Sequence, residues 1–170
     1  MKKILVIFLL FVIQQQLHSQ NYWANVYGGV NIDEGLATEI DYPNNNRSIT
    51  AGYFTGSANF SGTSFSSGGL SDIFISKHSV DGNQLWVKQI GGTGEERAVS
   101  VSLDATGNIF ITGHFWGDFD FGGTIYTSLG QEDIFIAKLD HREILFGSFR
   151  KVGLLPTFHF PLMLTLMEIL

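Results

Sequence analysis

The middle of this chain repeats itself, and that constrains its fold more than any other feature. Residues 71–77 read SDIFISK and residues 132–138 read EDIFIAK, 61 positions later. Gly52 in TAGYFTG matches Gly113 in ITGHFWG at the same spacing, and WANVYGGV from Trp23 matches WVKQIGGT from Trp86 at a spacing of 63. The two-residue difference has a location. Eleven steps separate Asp41 from Gly52 but nine separate Asp104 from Gly113, so the polar loop YPNNNR carries the extra pair. Loops absorb changes of length that strands do not, so this is how a structural repeat varies. Such a chain is built from stacked units, each leaning on its neighbour.

Within one period the text divides into four strand-like pieces. In the second copy Arg97–Leu103 alternates with the period of two of a half-buried strand. Asp104–Asn108 (DATGN) is a turn, with Asp at its start and Gly107 where a positive φ is needed. Ile109–Phe115 is the second piece, and after GDFDFGG, read as a connection, Thr124–Thr127 is the third. Leu129–Glu132 turns the chain into the fourth, Asp133–Leu139. In the preceding copy Asp81-Gly82-Asn83 joins the fourth piece to LWVKQI, a connection short enough to make them antiparallel neighbours. No segment has helical periodicity of useful length. The expected fold is all-β, with two tandem blade-like antiparallel β-repeats of an incomplete β-propeller. A β-sandwich fits less well, because its strands do not recur with strict self-similarity at a fixed period.

The repeats resemble the SBBP-type β-propeller repeats of secreted bacterial proteins. The matching residues are W-x-x-x-x-G-G at Trp23 and Trp86, D-x-x-G-N at Asp104, I-x-I-T-G-x-F at Ile109, and D-I-F-I-x-K at Asp72 and Asp133. The resemblance covers residues 22–140, and the first copy departs from it at YPNNNR, where Gly-Asn is expected. It implies a surface or extracellular propeller and no particular reaction.

The two ends differ from the middle. Lys2 and Lys3 precede the unbroken apolar run Ile4–Ile13, followed by QQQLHSQ, which is the layout of a secretory signal over residues 1–20 with cleavage near Ser19 or Gln20. Ten helical residues span about 15 Å, half of a hydrocarbon core, so a membrane anchor is the poorer reading. No membrane span is expected after cleavage, and the product is expected to be secreted, extracellular or at the cell surface. Residues 21–140 are the repeat region, with 18 glycines and 14 acids, whereas residues 141–170 hold two of each and become strongly apolar. Shifting the reading frame in this tail permits Gly-Asn, Trp, Gly-Gly-Thr and D-x-x-G-N at the spacings of Gly82, Asn83, Trp86, Gly91, Gly92, Thr93, Asp104, Gly107 and Asn108. The tail is therefore read as repeat sequence translated out of frame, never selected to pack.

Composition limits the chemistry. Ten basic against 16 acidic side chains give a net charge of −6, which disfavours a nucleic-acid partner. The absence of cysteine excludes a disulfide framework, a thiolate zinc site and a cysteine nucleophile. Asp118 and Asp120 would share one face if extended and could bind Ca²⁺ or act as an acid–base pair, but a turn role is expected, since the corresponding GSANFSG has no acid. Asp33-Glu34 and Glu95-Glu96 are read as equivalent loop acids after the glycine pair, able to line a rim or bind Ca²⁺ but solvated by default. Asp72 and Asp133 are expected to cap a turn into their strand. Each is five residues from Lys77 or Lys138, hence on the opposite strand face and not paired with it. Gly28-Gly29 and Gly91-Gly92 are read as turn residues, because glutamates follow where a phosphate cradle needs a helix N-terminus or a lysine. His114 is an aromatic packing position matching Tyr53. Trp23, Trp86 and the phenylalanines are core anchors, with sugar stacking the lesser alternative.

No catalytic, metal or cofactor site is expected from these residues. The expected function is a secreted, non-enzymatic scaffold or binding module for an unknown protein or carbohydrate ligand. Its rivals are a piece of a propeller-based hydrolase or lyase, or a product without a function of its own. Two blades cannot close a ring that needs about four to eight, so apolar inter-blade faces are expected to be exposed and to promote self-association.

Overall fold

A computed structural model describes residues 22–42 and 46–140, together with the backbone of a strand at 149–152. The strands are β1 Gly28–Gly29, β2 Asp33–Asp41, β3 Arg47–Phe54, β4 Ser57–Phe60, β5 Thr63–Ser66, β6 Asp72–His78, β7 Gln84–Gly92, β8 Glu95–Leu103, β9 Ile109–Trp116, β10 Asp118–Phe121, β11 Thr124–Thr127, β12 Asp133–Leu139 and β13 Phe149–Val152. The described chain is all-β, with no helix long and apolar enough to cross a membrane among the described residues. The signal-like segment at residues 1–20 and most of the tail at residues 141–170 lie outside the described residues. Within the tail, β13 runs antiparallel to β12, so that part of it does join a sheet.

Each repeat contributes four consecutive antiparallel sheet strands, those of the first repeat within a six-stranded sheet that β10 and β11 extend beyond β7. The first runs β2-β3-β6-β7 and the second β8-β9-β12-β13, so β13 stands beside β12 as β7 stands beside β6. The repeat extends to register. Gly52 lies opposite Phe74 as Gly113 lies opposite Phe135. A bulge falls between Gly35 and Ala37 in β2 and at the matching place, between Ala98 and Ser100, in β8. The extra loop pair falls where the sequence puts it: Ile40 pairs with Ser48 across the first turn and Leu103 with Ile109 across the second. The DATGN turn forms as expected, with Gly107 at φ 82° and the Asp104 carboxylate accepting the N–H groups of Thr106 and Asn108. The Asp81-Gly82-Asn83 connection likewise makes β6 and β7 antiparallel neighbours.

One expectation is corrected. GDFDFGG is not a connection but strand β10, which forms a hairpin with β11 and pairs back onto Gly91 and Gly92 of β7. The hairpin β4–β5 does the same to Gly28 and Gly29, with Gly29 opposite Ala58 as Gly92 is opposite Phe119. Each hairpin thus straps its own repeat to the end of the strand that precedes that repeat. Strap contact also explains the glycine pairs better than turn geometry does. A Cβ on Gly92 would run into the Asp118 carbonyl, and one on Gly29 into that of Ser57.

The main core lies between the two sheets. Ile49, Ala51, Ile73 and Ile75 from one face of the first sheet meet Ala98, Val101, Ile109, Ile111, Ala137 and Leu139 of the second. Phe115, Phe119 and Phe135 extend that core beneath the second hairpin, with Phe119 centred 5.3 and 5.2 Å from the other two rings. Burying side chains of this size contributes about 1.5–3 kcal/mol each before cavity terms, so the seam between repeats is the chief source of stability. A smaller cluster of Phe54, Ala58, Phe60 and Phe74 packs the first hairpin onto the opposite face of the first sheet.

Candidate functional site

The carboxylates of the two repeats fall into three groups. The first group sits where strands begin. The Asp72 carboxylate accepts the Gly68 N–H at 3.0 Å and Asp133 accepts that of Leu129 at 2.9 Å, so both close the turn into the DIFI strand, as the sequence suggested. Glu96 overturns its expectation, being fully buried in β8 rather than solvated in a loop. The pairing of Asp33-Glu34 with Glu95-Glu96 is also off by one. Asp33 lies opposite Phe54 and Glu96 opposite Phe115, so Asp33 corresponds to Glu96 and Glu34 to Arg97. The chemistry repeats accordingly: Asp33 accepts the Gly29 N–H at 2.7 Å and Glu96 accepts the Gly92 N–H at 3.0 Å.

Glu96 lies in the seam between the sheets. Its N–H donates to the Ser71 carbonyl at 3.0 Å, which places it beside Asp72. Burial pushes its carboxyl up to about 8, against the pull of the Gly92 N–H and with a further push from the nearby Asp72 charge. Its Oε1 is buried without a hydrogen-bond partner. Burial also raises Asp72, opposed by the Gln89 amide that donates to it at 2.6 Å. A buried carboxyl kept protonated can hold a seam together, because it carries no charge to desolvate. It cannot meet a substrate.

The second group belongs to the straps. Asp118 accepts the Thr127 hydroxyl at 2.6 Å and Asp120 the Gly123 N–H at 2.8 Å. In the first repeat Ser57 bonds Ser66, and Asn59 accepts the Gly62 N–H at 3.0 Å. The acids therefore do what neutral side chains do at the same places: Asp118 bridges the two hairpin strands, where a turn was expected, and Asp120 closes the turn between them. The third group is a repeated ion pair that sequence reasoning missed. Lys77 lies 3.7 Å from Asp41 and Lys138 lies 3.8 Å from Asp104, each lysine reaching back to the turn after the first strand of its repeat. The matched spacing of Asp41 and Asp104 was the signal that could have found it. No cluster of three or more metal-ligating side chains occurs among the described residues.

Two sheet faces lie outside the seam. On the first sheet, the face turned away from the second repeat carries Ser48, Thr50, Ser76 and His78. The matched residues in the second sheet are Ile109, Ile111, Ala137 and Leu139, all in the core. Residues 22–27 lie across this polar face. Tyr27 hydrogen-bonds His78 Nε2 at 2.8 Å, and Trp23 stacks at 6.0 Å from the His78 ring. Burial lowers the proton affinity of His78, so the imidazole is neutral there. Trp23 is a half-exposed clamp rather than a core anchor, its indole N–H donating to the Val80 carbonyl. A cleft of about 460 Å³ opens between this segment and the sheet, lined among others by Trp23, Tyr27, Asp33, Thr38, Thr50 and His78.

The second sheet's outer face is the counterpart of the first sheet's buried one. Phe110, Thr112, His114, Ile134 and Ile136 stand where Ile49, Ala51, Tyr53, Ile73 and Ile75 stand in the seam. Ile134 and Ile136 are 43% and 47% exposed, against 0% for Ile73 and Ile75. The expectation of an exposed apolar inter-blade face thus holds at the second repeat and fails at the first, whose outer face is polar.

No protein-family model matches the chain. It is 28% identical over 127 residues to an uncharacterized WD repeat-containing protein of Acanthamoeba polyphaga mimivirus, a match that takes in 64% of this chain and 9% of that protein's length. Together with strands that repeat in order and register, this similarity to a WD repeat-containing protein suggests a β-propeller-type repeat.

Proposed function

We propose that the chain is a secreted or cell-surface propeller-repeat scaffold of the SBBP type, a binding module with no reaction of its own. The observation that carries this reading is where the repeated polar side chains go. Asp72 and Asp133 close turns, Asp33 and Glu96 hold the glycine pairs, and Lys77 and Lys138 reach the Asp41 and Asp104 turns. Residues present once per repeat are occupied in building the repeat, which leaves recognition to the surfaces that differ between copies. The export layout of Lys2, Lys3 and Ile4–Ile13 supports secretion, and a mature N-terminus near Asn21 in secreted material tests it by mass spectrometry.

The cleft over the first sheet is the surface suited to a ligand. It combines aromatic faces at Trp23 and Tyr27 with hydroxyls at Thr38 and Thr50, groups that serve a carbohydrate or a peptide equally. Secreted protein screened against glycan and peptide panels should show saturable binding that weakens on Trp23→Ala. Turnover of any panel member, lost on Glu95→Gln or Asp118→Asn, would replace this reading with a hydrolase or lyase.

A further inference from the structure

We propose that residues 23–27, together with β1, take up an extended peptide of the D-I-F-I-x-K type as an added antiparallel strand.

The template for this contact lies in the same molecule. WANVYGGV from Trp23 repeats as WVKQIGGT from Trp86. In the second copy that text is β7, which has a strand on either side: β10 pairs with Gly91 and Gly92, and β6 runs along Trp86–Ile90. In the first copy one side is filled in the same way. Gly28 lies opposite Asn59 and Gly29 opposite Ala58, as Gly91 lies opposite Asp120 and Gly92 opposite Phe119. The sheet β5-β4-β1 then stops, where its equivalent β11-β10-β7 continues into β6.

The backbone before β1 is uncommitted. Residues 23–27 join no strand and make no backbone–backbone hydrogen bond among the described residues. Side chains hold them: the Trp23 indole on the Val80 carbonyl, the Asn25 amide on the Gly82 carbonyl at 2.6 Å, and Tyr27 on His78. A segment with the sequence of a paired strand and no ladder of its own is suited to strand addition, in which main-chain bonds give affinity and alternate side chains give selectivity. A glycan has no row of N–H and C=O groups to complete such a ladder.

The occupant follows from register. β6 sets Ile73 opposite Ile90, Phe74 opposite Gln89, Ile75 opposite Lys88 and Lys77 opposite Trp86. Carried back by the 63-residue spacing, the incoming strand sets its first isoleucine opposite Tyr27, its phenylalanine opposite Val26, its second isoleucine opposite Asn25 and its lysine opposite Trp23. Val26 is 95% exposed, so the phenylalanine meets an apolar side chain in need of cover. Within the described chain β6 already carries β7 on this edge and β12 carries β13, and the partner is therefore a repeat-type strand of a separate polypeptide.

This inference rests on reading the chain as a binding module and names the ligand class. Labelled peptide SDIFISKHS, copied from residues 71–79, should bind the full-length chain saturably, and its scramble should not. Methylating the ladder-forming amides of the peptide should weaken binding about tenfold or more. The chain has no cysteine, so disulfides report register cleanly. The Phe74→Cys peptide should cross-link to full-length Val26→Cys and not to Ile125→Cys, which lies on the far edge strand β11 of the six-stranded sheet. Undiminished binding of the methylated peptide, cross-linking at Ile125→Cys instead, or no binding of this peptide by the folded chain would overturn strand addition. Glycan binding in the ligand panel alongside any of these would leave the binding-module reading standing, whereas turnover in that panel would remove that reading by itself. A dimer of the unmodified chain that the peptide dissociates, seen by light scattering, would overturn the separate partner and make a second copy the donor.

Discussion

The two repeats share their strands, turns and ion pair, yet the same residue in each sits in a different solvent. Lys77 and Asp41 are buried in the seam, whereas Lys138 and Asp104 are partly open on the second sheet. Ile73 and Ile75 are core, while Ile134 and Ile136 are surface. The difference teaches that a repeat residue has no fixed energetic worth. Its value is set by whether a neighbouring unit covers it.

The sharpest way to break that comparison is to delete the two lysines in turn. Lys77→Ala removes the cation 3.7 Å from the buried Asp41 carboxylate, and equilibrium denaturation should show a loss of up to about 3–5 kcal/mol. Lys138→Ala should lose only a small fraction of that, since water replaces the lysine. Equal losses at the two sites would show that the second face is as covered as the first.

The seam should next reveal itself by pH. The folded protein holds the Glu96 proton far more tightly than the unfolded chain, with its carboxyl raised to about 8 from an ordinary 4.5. Its contribution to stability is therefore complete below about pH 4.5 and is lost as pH rises to about 8, a decline of a few kcal/mol at most. Glu96→Gln keeps the neutral form and should flatten that slope, leaving the variant more stable than the parent at pH 9. An unchanged slope would mean that the seam is wet.

The straps give the smallest effects. Gly92→Ala drives a methyl into the Asp118 carbonyl, and forcing β10 away should cost about 1–3 kcal/mol and speed hydrogen exchange in the β10–β11 hairpin. Gly123→Ala meets open space and should cost about 1 kcal/mol, for its positive φ alone.

Much of this architecture was legible in the residues. The repeat length, the turn at Asp104, the antiparallel return at Gly82 and the capping role of Asp72 and Asp133 all follow from local chemistry with a fixed geometry. The second hairpin strand was written there too, since Phe119 and Phe121 alternate with acids in GDFDFGG. Its length and flanking glycines made it look like a turn instead. Glu96 could not be placed from sequence, because a glutamate after a glycine pair reads as solvated until a second sheet arrives over it. The polar face of the first sheet was available to a position-by-position comparison of Ser48, Thr50, Ser76 and His78 with Ile109, Ile111, Ala137 and Leu139. Without knowing which face meets which, that comparison has no meaning.

By itself, then, the sequence determined the repeat and its all-β character. Period-two alternation, Gly and Asp turns and a copied motif are local instructions, obeyed within a few residues. Only the tertiary structure decided which of two identical motifs is core and which is surface, and which carboxylate keeps its proton. Those properties come from desolvation, and desolvation depends on neighbours that lie about sixty residues away in the sequence.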